Sequence, residues 1–243
     1  MNFRYSSTVL GIITLVSALT ACSKNDATTN APAQSDKAPS LADATSPQAA
    51  EQAKIKALPK GNPATPLSQY RELTSDKDVM FTYYAMSSLP VDYDKLLLNY
   101  SQDYRATSDE FKKQDIQKAL KPKIDQEIAN AKGVNYIKVK WDQFRLDKYD
   151  FQAKAFPQHT LTNDVNFGWG YDYRIEFSNG DDFKLLKVDD ETKARIIEEK
   201  RSQGQPLDLL IYAFAQDSTL DQHHVKAQIL KVVLVDKNGT ELF

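Results

Sequence analysis

The sequence predicts an α+β protein in which N-terminal helices precede a mainly antiparallel β-sheet with one inserted helix. Three observations carry this reading. Apolar residues recur at helical spacing between Ser75 and Gly133, and from Ile137 onward they alternate at strand spacing. Every aromatic residue except Phe3 and Tyr5 lies beyond Leu67, so the core is built from the later part of the chain. The 243 residues carry 31 Lys+Arg against 33 Asp+Glu, a net charge of -2. That balance lacks the basic excess with which a nucleic-acid binder displaces counterions, and no nucleic-acid partner is expected.

Taken in order, Ser75 with Asp78 caps a helix carrying Val79, Met80, Tyr83 and Met86. Leu89-Pro90 interrupts it, because the proline ring locks φ and restricts the residue before it. Tyr93, Leu96, Leu97, Tyr100 and Tyr104 form the next stripe. Thr107 with Glu110 matches a capping box, followed by Ile116, Leu120, Ile124 and Ile128 and a stop at Gly133. Pro122 inside that pattern predicts a kink or split near Leu120.

Strands are then expected at Ile137–Trp141, Tyr149–Ala155 and Phe167–Phe177. Asn179-Gly180 signals a type I′ hairpin returning through Phe183 to Val188. Asp189 or Asp190 caps the inserted helix, which runs to about Arg201 with Ala194, Ile197 and Ile196 as its candidate inner face. Leu207–Ala215 is apolar on both parities, as a central strand would be. Val225, Ala227 and Ile229 alternate cleanly before the pattern turns apolar on both faces, which predicts a bend or bulge. Asn238-Gly239 signals a last hairpin to Leu242 and Phe243.

The N-terminus is a different material. Arg4 and the apolar run Val9–Leu19 have the anatomy of a secretory signal, the run being too short for the about 20 apolar residues of a membrane span. It closes with Leu19-Thr20-Ala21-Cys22, and Cys22 is the sole cysteine of the chain. This resembles the lipobox of bacterial lipoproteins. The resemblance implies a signal peptide over residues 1–21, cleavage before Cys22, a diacylglyceryl group on its sulfur and a fatty acyl chain, typically palmitate, on the new amino terminus. Two or more chains hold a protein stably at a membrane. Ser23 stands where an Asp would favour the inner membrane, so the implied location is the outer membrane, with the domain facing the periplasm.

Residues 22–66 hold no aromatic, only Leu41, Ile55 and Leu58 as large aliphatics, and six of the ten prolines. Such a stretch buries too little to offset its ordering entropy. It is expected to be a disordered tether without a helix, followed by one domain over residues 67–243. Stretches such as Tyr171–Phe177, Leu207–Ala215 and Val232–Gly239 resemble small domains of bacterial envelope lipoproteins, a likeness that implies location and no activity.

Chemistry is sparse. A single cysteine excludes an intramolecular disulfide and a multi-cysteine zinc site. There is no G-x-S-x-G, S-x-x-K, H-E-x-x-H or Walker loop, so no catalytic residue, metal or cofactor is assigned. A hydrolase would need His159, His223 or His224 as its base. His223-His224 share a metal only on an irregular loop, with Asp217 or Asp221 as an oxygen ligand, and a solvated loop before a strand is the plainer reading. Asp181-Asp182 and Asp189-Asp190 suit a turn and a helix cap, and the lysines between Lys112 and Lys123 alternate with carboxylates as on a solvated face.

The remaining feature is Phe167-Gly168-Trp169-Gly170-Tyr171-Asp172-Tyr173. Strand alternation places its four aromatics on one face, which makes Trp169, Tyr171 and Tyr173 candidate ligand-binding residues for a stacked glycan if exposed and a core face if buried. Trp141 or Tyr149 exposed beside them would favour the ligand site. The sequence therefore predicts a non-enzymatic lipoprotein, held to the membrane through Cys22, whose domain binds an envelope protein or glycan. A glycan or peptidoglycan module and a periplasmic hydrolase are the alternatives.

Overall fold

Short capping signals punctuate the helical half. The computed structural model describes residues 47–170, 172–219 and 222–243. Helix α1 (Pro47–Ala57) comes first, then a two-residue strand β1 (Arg71–Glu72). Ser75 caps α2 (Asp76–Met86), accepting the Asp78 amide. Asp92 caps α3 (Tyr93–Tyr100), and Ser101 closes it while capping α4 (Gln102–Ala106), so the tyrosine stripe is split in two. The cap of α5 (Glu110–Ala131) is Asp109, whose carboxylate accepts the Phe111 and Lys112 amides. Thr107 instead accepts the Asp109 amide, which corrects the expected capping box. The expected split near Leu120 is also absent: α5 continues through Pro122, which sits on its exposed side. Gly133, at φ +77°, follows the helix end in a conformation that favours glycine.

The strands are β2 (Tyr136–Trp141), β3 (Ala155–Pro157), β4 (Asn166–Phe167), β5 (Arg174–Phe177), β6 (Leu185–Lys187), β7 (Leu207–Ser218) and β8 (His224–Asp236). Helix α6 (Glu191–Ser202), capped by Asp190, lies between β6 and β7. The main sheet has the order β1-β2-β7-β8-β5-β4, and β3 pairs with β6 separately. The class is α+β as expected, but the sheet is mixed. β1–β2 and β5–β8 are parallel, whereas β2–β7, β7–β8 and β4–β5 are antiparallel.

Three local expectations are corrected. Asn179-Gly180 opens a 3₁₀ turn, not a two-residue hairpin, and the returning segment joins β3 as β6. The Asn179 amide instead extends the pairing beyond β5, exchanging two hydrogen bonds with the Ile229 backbone. The expected strand Tyr149–Ala155 is instead a turn over residues 151–154, closed by an Asp150–Ala155 bridge, because Asp150 accepts the Gln152 and Ala153 amides, leaving Phe151 81% exposed. Ile196 faces outward, while Ala194 and Ile197 are buried.

The β7–β8 ribbon carries a bulge: Tyr212 pairs with Lys231 and Ala213 with Ile229, leaving Leu230 extra. This is where the alternation changes parity. β7 is apolar on both parities because both faces are covered. Leu207, Leu209, Ile211, Ala213 and Ala215 join the large core, which includes side chains of α2, α3, α5 and α6. On the other face Tyr212 and Leu210 join Tyr70, Val233 and Val235.

That second face moves the domain boundary. Residues 59–66 form a strap across it and are not a free tether. Gln216 Nε2 donates to the Pro59 carbonyl at 2.7 Å, Gln228 Oε1 accepts the Gly61 amide, and the Tyr136 hydroxyl accepts the Asn62 amide. A Cβ at Gly61 would lie 2.5 Å from Phe214 Cβ, so only glycine passes there. Ahead of the strap, α1 occupies part of the stretch expected to hold no helix. Cys22 and the lipobox lie outside the described residues.

Candidate functional site: an aromatic row and its loop

The expected single strand Phe167–Phe177 is a hairpin. β4 ends at Phe167, β5 begins at Arg174, and residues between them form the connecting loop. The loop breaks the alternation that would have aligned four aromatics. Phe167 is buried, Tyr173 is fully buried, and Trp169 is 41% exposed. Tyr171 lies outside the described residues. Of the three candidate ligand residues, Trp169 presents its side chain to solvent, whereas Tyr173 belongs to the core.

Trp169 does not stand by itself. Its ring packs edge-on against Phe167 with centroids 5.0 Å apart, and Trp141 packs on the same Phe167 at 5.1 Å. Trp141 in turn meets Phe144 at 6.3 Å. Phe144 and Phe167 are buried and act as supports, while Trp141 is half-buried. In strand order Trp141 and Phe167 belong to opposite flanks of the sheet, so this ring contact joins residues that strand pairing does not bring together. Such aromatic contacts contribute about 0.5–1.5 kcal/mol each beyond the area they bury.

Two anchors hold the loop. Under Gly170 lies the Asp76 carboxylate from the first turn of α2, so close that a Cβ would come within 2.7 Å of it. Asp76 accepts the Tyr173 amide, and its Oδ1 is buried without a hydrogen-bond partner among the described residues. Burial first, then the neighbouring Asp172 carboxylate, pushes the Asp76 carboxyl above its ordinary range, against the pull of Arg174 and the Tyr173 amide. The second anchor is the Tyr173 ring. Its hydroxyl donates to Tyr84 at 3.1 Å, and His223 stacks on it at 5.3 Å while meeting Tyr83 edge-on. Burial raises the phenol pKa of both Tyr173 and Tyr84.

The histidines are therefore placed apart in role. His159 sits on the surface with Nε2 3.0 Å from Asp147 Oδ2. His223, at φ +54°, is packed among tyrosines, and His224 faces Glu176 with Nδ1 3.7 Å from its Oε2. Asp221 lies outside the described residues. Among the described residues no three His, Cys, Asp or Glu side chains are grouped to hold a metal. Asp190 caps α6 as expected, and Asp181 is tied into its turn by Lys184 and the Asn163 amide.

Phe144 also borders a cleft of about 340 Å³ lined by Gln143, Arg145, Leu146, Arg201 and Gln205. Arg201 is paired with Glu198 at 2.6 Å. Sequence reasoning named Trp141 only as a neighbour that would matter if exposed, and it missed Asp76 and this cleft. No local pattern carries a signal for them, because Asp76 reaches Gly170 from a helix far earlier in the chain and the cleft is lined by residues from two distant segments. Comparison of the chain with protein-family models, with curated proteins and with solved structures finds no match.

Proposed function

We propose that this protein is an outer-membrane lipoprotein, anchored through Cys22, whose α+β domain serves as a non-enzymatic binding or accessory module of the cell envelope on the periplasmic side. The observation that supports it is the coincidence of a basic start, the Val9–Leu19 apolar run and Leu19-Thr20-Ala21 ahead of the sole cysteine. Mass spectrometry of the mature amino terminus tests the anchor: acyl chains on Cys22 are expected, and an unmodified thiol overturns it. Cross-linking in intact cells tests the role. A discrete envelope partner captured with the wild type and lost with Cys22→Ala is expected. Reproducible turnover of a cell-wall or lipid substrate, abolished by a point mutation, overturns the non-enzymatic reading.

A second reading names the ligand as a glycan or peptidoglycan strand, and the observation favouring it is the exposed indole of Trp169 braced on Phe167. An indole already fixed from behind loses little freedom when a sugar face stacks on it. Trp169→Ala should lose binding without unfolding, and unchanged binding removes this reading.

A further inference from the structure

We infer that a small pocket between the end of α2 and the start of α3 binds a zwitterion, a molecule with one ammonium and one oxyanion a few bonds apart. The pocket holds about 140 Å³ and is lined by Tyr83, Tyr84, Asp92, Lys95 and His223, with Leu89 and Pro90 as an apolar edge. Asp92 and Lys95 bring one charge of each sign to it, and among the described residues neither forms an ion pair. As the α3 cap, Asp92 accepts the Lys95 amide through Oδ1, which leaves Oδ2 to the pocket. Tyr84 adds a buried donor. It is 8% exposed, and its oxygen accepts the Tyr173 hydroxyl at 3.1 Å, so its own proton remains to be donated. No described residue accepts that proton. His223 completes the wall at φ +54°, a conformation uncommon outside glycine. Its ring is fixed by Tyr173 and Tyr83, and neither ring nitrogen bonds to a described residue.

The charges of the lining choose the ligand. An anion alone would meet Asp92, a cation alone would meet Lys95, and a neutral molecule would pair with neither. A zwitterion satisfies both at once. Its ammonium donates to Asp92, and its oxyanion, an acceptor only, takes hydrogen bonds from Lys95 and the Tyr84 hydroxyl. Volume sets the second limit. A pocket of about 140 Å³ admits a molecule of a few heavy atoms, and Leu89 with Pro90 can meet a short apolar side chain. A small free amino acid has this chemistry, with a carboxylate as its oxyanion. The ethanolamine headgroup of a lipid has it too, with a phosphodiester in the same place.

The test is titration of the full chain in nonionic micelles, read by calorimetry and ligand-observed magnetic resonance. The probes are alanine and glycerophosphoethanolamine, with acetate and methylammonium as single-charge controls. One zwitterion at least is expected to bind about tenfold tighter than either control, the factor that one charge-assisted hydrogen bond supplies. The tighter of the two zwitterions tells a free amino acid from a lipid headgroup as the source. Lys95→Met should remove the advantage over methylammonium, and Asp92→Asn, which still caps α3, should remove the advantage over acetate. Tyr84→Phe keeps the ring and should weaken zwitterion binding severalfold. Thermal midpoints check that each variant folds, and the comparison of the four probes on the wild type decides the matter even if one does not. Zwitterion affinity equal to that of acetate or of methylammonium overturns the proposal. So does binding that survives both charge variants, or the absence of saturable binding of either zwitterion at millimolar concentrations.

Discussion

Two irregular segments of this molecule are held at a glycine, and they are held by opposite means. The strap over residues 59–66 passes Gly61 against Phe214 and Leu230 and is tied by neutral groups, the Gln216 and Gln228 amides and the Tyr136 hydroxyl. The loop between β4 and β5 passes Gly170 against the Asp76 carboxylate, an ionisable group with Asp172 nearby and one oxygen unpartnered among the described residues. The strap covers apolar surface with every polar contact neutral, which is what a purely structural element needs. The loop places a charge where it is costly, and the residue it holds out to solvent is Trp169. Local arrangements that lower stability persist when the surrounding structure over-determines them, and they concentrate where a side chain must be aimed.

The largest expected effect separates the two glycines. Gly61→Val puts a branched side chain where even a Cβ would lie 2.5 Å from Phe214 Cβ, an atom fixed to the β7 backbone. The strap must lift, and a loss of about 2–3 kcal/mol is expected in urea unfolding. Gly170→Ala meets the end of a side chain instead, since the nearest atoms are Asp76 Cγ and Oδ1 at 2.7 Å. Asp76 can rotate away at the expense of its bond to the Tyr173 amide, so a smaller loss of about 1 kcal/mol is expected. The near-ultraviolet signal of the aromatic row should change with Gly170→Ala and stay constant with Gly61→Val. Equal losses, or an unchanged aromatic signal in both, would break the comparison.

The same two segments show how far local sequence reaches. Ser75 and Asp190 cap helices through bonds to residues two or three positions away, so their roles could be read from the chain. The parity change after Ile229 is likewise local, and the bulge at Leu230 answers to it. Strap and loop are set by partners far along the chain: Gly61 by Gln228, Gly170 by Asp76, Trp141 by Phe167. Alternation from Phe167 to Tyr173 assumed a continuous pleat, which the hairpin breaks. A warning was present at Asp150, whose carboxylate turns the neighbouring backbone where alternation suggested a strand. Of the candidate site, Trp169 could be named from its motif but its exposure could not, since the hairpin decides it, and its neighbours come from parts of the chain that no spacing relates.

The finest test of the contrast is Asp76→Asn, which keeps shape and removes charge. The folded protein holds the Asp76 proton more tightly than an unfolded chain does, because burial and Asp172 both disfavour the carboxylate. A group with a raised folded value contributes stability that is fully present below the unfolded carboxyl pKa. That contribution is lost as pH rises through the folded value, so at neutral pH the ionised Asp76 lowers stability. Asp76→Asn should therefore raise the unfolding midpoint at pH 7, by less than about 1 kcal/mol because solvent screens this partly exposed site. The gain should shrink as pH falls through the carboxylate range, where the wild type becomes neutral at the same position. Strap variants should show no such dependence, since no titrating group holds Gly61. A lower midpoint for Asp76→Asn at pH 7 would instead mean that the carboxylate is a favourable partner of Arg174 and the Tyr173 amide. The loop would then be held by attraction alone, and its difference from the strap would be one of partners rather than of strain.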